Sequence, residues 1–140
     1  MIVDASVWVA SVLMEDAHHE VSLAFMHRFI KERQIATVPL LAWVEIAGAV
    51  ARRTGDTERG LKTAGLITAQ AWVRGVPLDA TLAGESMRLA AKLQLRGADA
   101  VYVALAATCR EPLITLDAEM LERAKGVTDV FTPEQWLQKR

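Results

Sequence analysis

MIVDASVW (Met1–Trp8) sets two β-branched residues, Ile2 and Val3, directly before a carboxylate, Asp4, with a hydroxyl two residues on at Ser6. Isoleucine and valine favour a pleated, buried strand. No turn residue separates the apolar pair from the acid. Asp4 therefore stands at the mouth of a short buried strand, and Ser6 is read as turning the chain back beside it. A second stretch ends the same way: Leu113-Ile114-Thr115-Leu116 is a strand candidate that runs into Asp117.

The segments between these two strands alternate in type. His18 to Gln34 has Val21, Phe25 and Phe29 at helical spacing. Ile35 to Val38 reads as a second buried strand, and Pro39 suits the first turn of a helix running through Trp43, Ile46, Ala47 and Val50 to Gly55. Thr57 is placed to cap a helix through Leu61 and Leu66 that fades near Trp72. Val76-Pro77-Leu78 reads as a third strand, which the proline assigns to a sheet edge. Thr81 is placed to cap a helix to about Leu95, with Gly97 as its left-handed stop and Asp99 at the start of a helix over Ala100 to Cys109. A short helix with Met120 and Leu121, a strand over Val127 to Phe131 and a helix opened by Pro133 complete the chain.

Strands alternating with helices imply a parallel sheet covered on both faces. In such sheets sites form at the carboxyl ends of the strands, where the winding order switches. Asp4 and Asp117 are thereby expected to face one crevice.

The 140 residues are long enough for one domain with its own core, and no repeat or linker marks a second. Hydrophobic residues make up 52% and mean hydropathy is +0.20, which excludes disorder and leaves apolar surface for a partner. Charged residues interrupt every apolar run before a membrane span is reached, and no signal peptide is expected at the start. Cys109 is the only cysteine, which rules out an intramolecular disulfide and fits a reducing compartment; it reads as a small buried hydrophobe. A net charge of −1 excludes coating of polynucleotide by bulk charge, but not a local basic rim around an acidic centre.

Two further acids occupy unexpected places. Glu45 lies in the apolar helix LLAWVEIAGAVA (Leu40–Ala51), and Asp99 is flanked by Ala98, Ala100 and Val101. Taken singly, Glu45 fits a solvent-facing position and Asp99 an N-cap. Taken with Asp4 and Asp117 they form a set of four. Four carboxylates brought within a few ångströms repel strongly at lowered dielectric, and such groups persist where a cation lies between them. Oxygen-only ligands select hard ions such as Mg²⁺ or Mn²⁺.

Asp4-Ala5-Ser6 after the first strand, Glu45 after the second, GADAVYVALA (Gly97–Ala106) and LITLD (Leu113–Asp117) together resemble the motifs of the PIN-domain nucleases. Length and layout are similar to the VapC-type toxins of toxin–antitoxin pairs, from Met1 to about Trp136. The resemblance implies an α/β protein: a three-layer α/β/α PIN-like fold with a five-stranded parallel sheet of order 3-2-1-4-5, residues 1–140 being a single PIN domain. It implies a Mg²⁺- or Mn²⁺-dependent endoribonuclease in which Asp4, Glu45, Asp99 and Asp117 are both the catalytic residues and the ligands of one or two ions. Ser6 and Thr115 carry over as the hydroxyls beside the first and last aspartates, and Glu119 as an accessory acid. Hydrolysis in line with the leaving 3′ oxygen is implied, giving a 5′-phosphate and a 3′-hydroxyl. The implied setting is a cytoplasmic homodimeric toxin of a type II system, with an RNA substrate and a cognate antitoxin. The alternatives are a housekeeping PIN-domain RNA-processing nuclease and a non-catalytic RNA- or protein-binding PIN module.

The remaining polar residues divide by expected role. Arg28, Lys31, Arg33, Arg52, Arg53, Arg88, Lys92 and Arg96 are candidates for a basic rim, most of them expected on solvated helix faces. Trp8 and Trp43 lie close in sequence to the acids but are expected to pack rather than stack on bases. A haloacid-dehalogenase-like phosphatase needs a second aspartate where Ser6 stands. A receiver domain needs a mid-chain phosphoacceptor aspartate and a late lysine. Neither pattern is present.

Overall fold

The computed structural model describes residues 1–139. Ile2 and Val3 form strand β1 (Ile2–Val3), fully buried on both faces. It is the middle strand of a five-stranded sheet with β2 (Ala36–Pro39), β3 (Val73–Val76), β4 (Leu113–Ile114) and β5 (Val130–Phe131). The order is β3-β2-β1-β4-β5 and every neighbouring pair is parallel. Ile2 is in register with Thr37 on one side and Leu113 on the other. The winding therefore reverses at β1, as the family resemblance implied.

Among the described residues eight helices surround the sheet: α1 (Ala5–Val12), α2 (His19–Lys31), α3 (Leu41–Thr54), α4 (Thr57–Thr68), α5 (Ala80–Leu93), α6 (Gly97–Cys109), α7 (Ala118–Arg123) and α8 (Pro133–Gln138). Helix α6 packs against β1, β2 and β4, and its residues from Asp99 to Ala106 are all buried. Phe25 and Phe29 of α2 enter the core, and Trp72 stacks on Trp8 with ring centroids 5.6 Å apart. Among the described residues no helix is long and apolar enough to cross a membrane.

The structure differs from the sequence reading in several local respects. Ser6 does not turn the chain back: it lies in α1, which was not expected. Val7, Trp8, Val9 and Ala10 are all buried, so this helix has no polar face to reveal a period of 3.6. Pro39 ends β2 rather than opening the next helix, a position where its missing N–H is tolerated. Strand β3 lies earlier than expected, at Val73–Val76, although it is the edge strand predicted. It contains Gly75, where an added Cβ would stand 2.7 Å from Leu40 Cδ2 and 2.9 Å from Trp43 Cζ2. Close packing of α3's first turn on the strand thus requires the glycine.

Asp56 and Asp79, not Thr57 and Thr81, cap α4 and α5, accepting from the N–H groups of Arg59 and Leu82. The left-handed stop of α5 is Gln94 (φ 55°), which frees Gly97 to begin α6. Thr132 and Gln135 form a reciprocal capping box ahead of Pro133, the helix start expected. Cys109 is half-buried and free.

Candidate active site

Topology alone brings the four acids to one edge. In a parallel sheet the chain leaves each strand at its carboxyl end, and a helix leading into the next strand starts at that same edge. Asp4 follows β1 directly. Glu45 is in the second turn of α3, which follows β2. Asp99 lies in the first turn of α6, which runs down into β4. Asp117 follows β4 as the N-cap of α7.

Asp4 is 5% exposed. Its Oδ2 accepts a 2.5 Å hydrogen bond from Ser6 Oγ and a 2.8 Å bond from Thr115 Oγ1. Those hydroxyls also tie α1 to the end of β4: Leu116 N–H donates to Ser6 Oγ, and Asp117 N–H donates to Thr115 Oγ1 at 3.0 Å. Burial pushes the Asp4 carboxyl above the usual range, the two hydroxyls hold it back, and the charges of Asp99 and Asp117 push it further up.

Glu45 is raised to about 7, first by burial and then by the charges of Asp4 and Asp99, with Tyr102 and Arg96 opposing. Its Oε1 is buried without a hydrogen-bond partner of good geometry, as is the Tyr102 hydroxyl, although the two are near enough to act on each other's ionisation. Burial and the charges of Asp4 and Glu45 raise the Tyr102 phenol, so it stays a neutral donor.

Asp99 and Asp117 are joined by an arginine. Arg96 Nε donates to Asp99 Oδ2 at 2.8 Å and Arg96 Nη2 to Asp117 Oδ2 at 2.9 Å. Burial still raises Asp99 despite this pairing. The N-cap position expected for Asp99 belongs to Arg96, and the Asp99 carboxylate is directed to the guanidinium instead. Asp117 does cap: its Oδ1 accepts the Met120 N–H at 2.8 Å. Glu119 is exposed on α7 and pairs with Arg123, so it lies at the rim, where its charge still acts on Asp99.

Sequence reasoning overlooked two members of this group. Arg96 was placed only among the rim cations, although its spacing from Asp99, three residues at a helix start, is that of an ion pair. Tyr102 stands three residues beyond Asp99 on the same helix face, a relation the apolar run VYVALA hid.

A cleft of about 570 Å³ opens beside Glu45 and Ser6. Ala5, Val9, Val44 and Leu116 form its apolar wall, while Arg52, Arg53 and His18 line its outer part. Arg53 is paired with Asp16, and Arg52 lies back along α3 with its guanidinium over Gly48. Of the other expected rim cations, Arg28 is bound to Glu32 and to the carbonyls of Leu137 and Lys139, and Arg88 to Glu85. Trp8 is core, and Trp43 is partly exposed over Gly75.

The PIN-domain family model matches residues 1–126. The chain belongs to the PIN-domain family. Among solved structures it is similar to VapC20 of Mycobacterium tuberculosis, a toxin that cleaves the sarcin–ricin loop, at 20% identity and a TM-score of 0.75 over 92% of this chain and 97% of that one. PAE2754 of Pyrobaculum aerophilum is 25% identical, with a TM-score of 0.68 over 97% of this chain and 92% of the other. A toxin–antitoxin complex from Klebsiella pneumoniae matches at 17% identity and a TM-score of 0.67, over 94% and 96%. Among curated proteins none matches by sequence.

Among the described residues no three acidic, histidine or cysteine side chains stand as a ready-made metal cage. The donor chemistry of this PIN domain nonetheless fits a hard divalent cation. All four side chains offer oxygen, Glu45 Oε1 is buried and unpartnered, and three of the acids are pushed toward their neutral forms, each of them first by burial.

Proposed function

We propose that this PIN domain is a Mg²⁺- or Mn²⁺-dependent endoribonuclease and the toxin of a type II toxin–antitoxin pair. The observation that carries the reading is that Asp4, Glu45, Asp99 and Asp117, from four separate elements, lie close enough to act on one another's charge, with Glu45 also lining an open cleft. Asp4, Glu45, Asp99 and Asp117 would hold one or two ions. A bound divalent cation supplies positive charge at the phosphoryl oxygens and makes water a better nucleophile at neutral pH.

The chain's own groups have complementary tasks. Ser6 and Thr115 fix the rotamer of Asp4 through Oδ2 and leave its other oxygen without a partner. Tyr102 supports Glu45 from the core side. Arg52 and Arg53 line the cleft and are the cations that would hold RNA phosphates there, Arg53 on leaving Asp16 and Arg52 on swinging out from Gly48. The apolar wall beside them excludes water and accepts a base or sugar face. Cleavage of the bond to the 3′ oxygen leaves a 5′-phosphate and a 3′-hydroxyl.

A cognate antitoxin and a homodimer complete the reading. Val44 of α3 and Leu61 and Leu66 of α4 are exposed apolar side chains that a protein partner would cover. Millimolar Mn²⁺ added to metal-free protein is expected to raise Tm, because the cation relieves repulsion among the acids. Asp4→Asn and Asp99→Asn are expected to abolish cleavage of a structured RNA while the circular dichroism spectrum is kept. Undiminished cleavage in both variants removes the reading.

A further inference from the structure

We propose that Arg96 is a built-in stand-in for the cation, holding Asp99 and Asp117 together in the metal-free protein and giving them up when a divalent ion enters. The inference rests on the metal-dependent reading of the site. Its starting point is which carboxylate oxygens are still free. Asp117 accepts the Met120 N–H on Oδ1 and Arg96 Nη2 on Oδ2, so neither oxygen is unengaged. Asp99 Oδ2 is held by Arg96 Nε. On the other side of the site Asp4 has one oxygen with both hydroxyls and one without a partner, and Glu45 Oε1 has none. The site is thus open to a cation at Asp4, at Glu45 and at Asp99 Oδ1, and occupied at Asp99 Oδ2 and at both oxygens of Asp117.

A divalent ion and the guanidinium compete for the same oxygens. The guanidinium offers its donors in a fixed planar fork, and here Nε and Nη2 are divided between two carboxylates rather than chelating one. A hard divalent ion needs those oxygens at short distance and in near-octahedral geometry, and its charge repels a guanidinium bound to the same atoms. Arg96 has room to leave: its side chain is 69% exposed, on the residue preceding α6. Met120 N–H need not move, so Asp117 changes partner without uncapping α7. Entry of the ion is therefore an exchange of one cation for another, and Arg96 sets how tightly the ion is held.

Titration calorimetry of Mn²⁺ into the full-length metal-free protein tests this, with wild type, Arg96→Gln, Arg96→Lys and Asp4→Asn compared. Arg96→Gln is expected to bind Mn²⁺ roughly 10-fold more tightly, since two ion pairs no longer have to be broken, and to melt a few degrees lower without metal. Arg96→Lys, which offers a point charge in place of the fork, should fall between the two. A second readout is the Arg96 Nε–H resonance, which should move to an exposed-arginine position on saturation with diamagnetic Mg²⁺. Unchanged or weaker Mn²⁺ affinity in Arg96→Gln overturns the proposal, as does an Arg96 resonance that stays in place at saturation. If Asp4→Asn abolishes binding while Arg96→Gln leaves it unaltered, the metal site survives and only the role of Arg96 is lost. If wild type binds no Mn²⁺, both fall together.

Discussion

The two halves of the acid site solve the same electrostatic problem in opposite ways. At Asp99 and Asp117 one of the two negative charges is offset from within the chain, by a largely exposed arginine. Among the described residues no cation is in contact with Asp4 or Glu45; hydroxyls orient the one, and both are pushed toward protonation. The first half carries a counter-charge of its own, although burial still raises Asp99, and the second carries none in contact. Uncompensated acids at the floor and a replaceable partner at the rim are what a site needs if it is to attract a cation and still fold without one.

The largest effect should come from the uncompensated half. Asp4→Asn keeps the shape of the side chain and removes its charge. Cleavage is expected to fall by at least about 10³-fold, the scale of losing a group that acts in the transition state. Metal-free Tm should not fall, because the substitution removes a buried charge that nothing neutralises. A large drop in Tm would show that the Asp4 charge is structural and would erase the contrast between the halves.

Next in size is the hydroxyl that holds this half in place. Thr115 is fully buried and serves both sides, donating to Asp4 and accepting from the Asp117 N–H. Thr115→Val preserves volume but leaves a buried N–H unpaired and Asp4 with one donor fewer. The expected cost is about 2–3 kcal/mol by urea denaturation. A cost below about 0.5 kcal/mol would mean that water replaces the hydroxyl and that Asp4 is less enclosed than its burial implies.

Each half was legible in sequence only in part. Asp4 and Asp117 could be read because strand–helix alternation places residues after strands on one edge, whereas Glu45 and Asp99 joined them through the family resemblance. Sheet order and the central place of β1 likewise came from the resemblance. Helix α1 was hidden because Val7, Trp8, Val9 and Ala10 are buried all round, which removes the period that would announce it. Strand β3 was displaced because Arg74 and Gly75 have poor strand propensity, and only the packing of Leu40 and Trp43 on Gly75 explains the residue there. Arg96 went unread for another reason. A basic residue before a helix normally points to solvent, and its pairing with Asp117 spans 21 residues that only the fold brings together.

The pH dependence of the metal-free protein sharpens the contrast further. The Glu45 carboxyl titrates near 4.5 in the unfolded chain and at about 7 in the folded one. Between those values the folded state keeps a proton that the unfolded state has lost, so stability falls as pH rises through this window. With Glu45 only partly enclosed, the loss is about 1–2 kcal/mol after allowance for solvent screening. Melting curves from pH 4.5 to 7.5 should show the decline in wild type and a flatter profile in Glu45→Gln. A wild-type profile that rises over this range would place a compensating cation beside Glu45.

The smallest effect is expected from Asp117→Asn, and it tests the compensated half directly. Asparagine caps a helix about as well as aspartate, so the bond from the Met120 N–H and the start of α7 should be kept. Arg96 loses one of its two carboxylates but retains Asp99 at 2.8 Å, and a pair this exposed contributes little to folding. Metal-free Tm should therefore change by no more than about 2 °C. Added Mn²⁺ should stabilise this variant less than wild type, because one charged ligand is missing while Arg96 still occupies Asp99. If Asp117→Asn instead lowers metal-free Tm as much as Thr115→Val does, the arginine bridge is a structural clasp. The division between an uncompensated floor and a replaceable rim would then have to be abandoned.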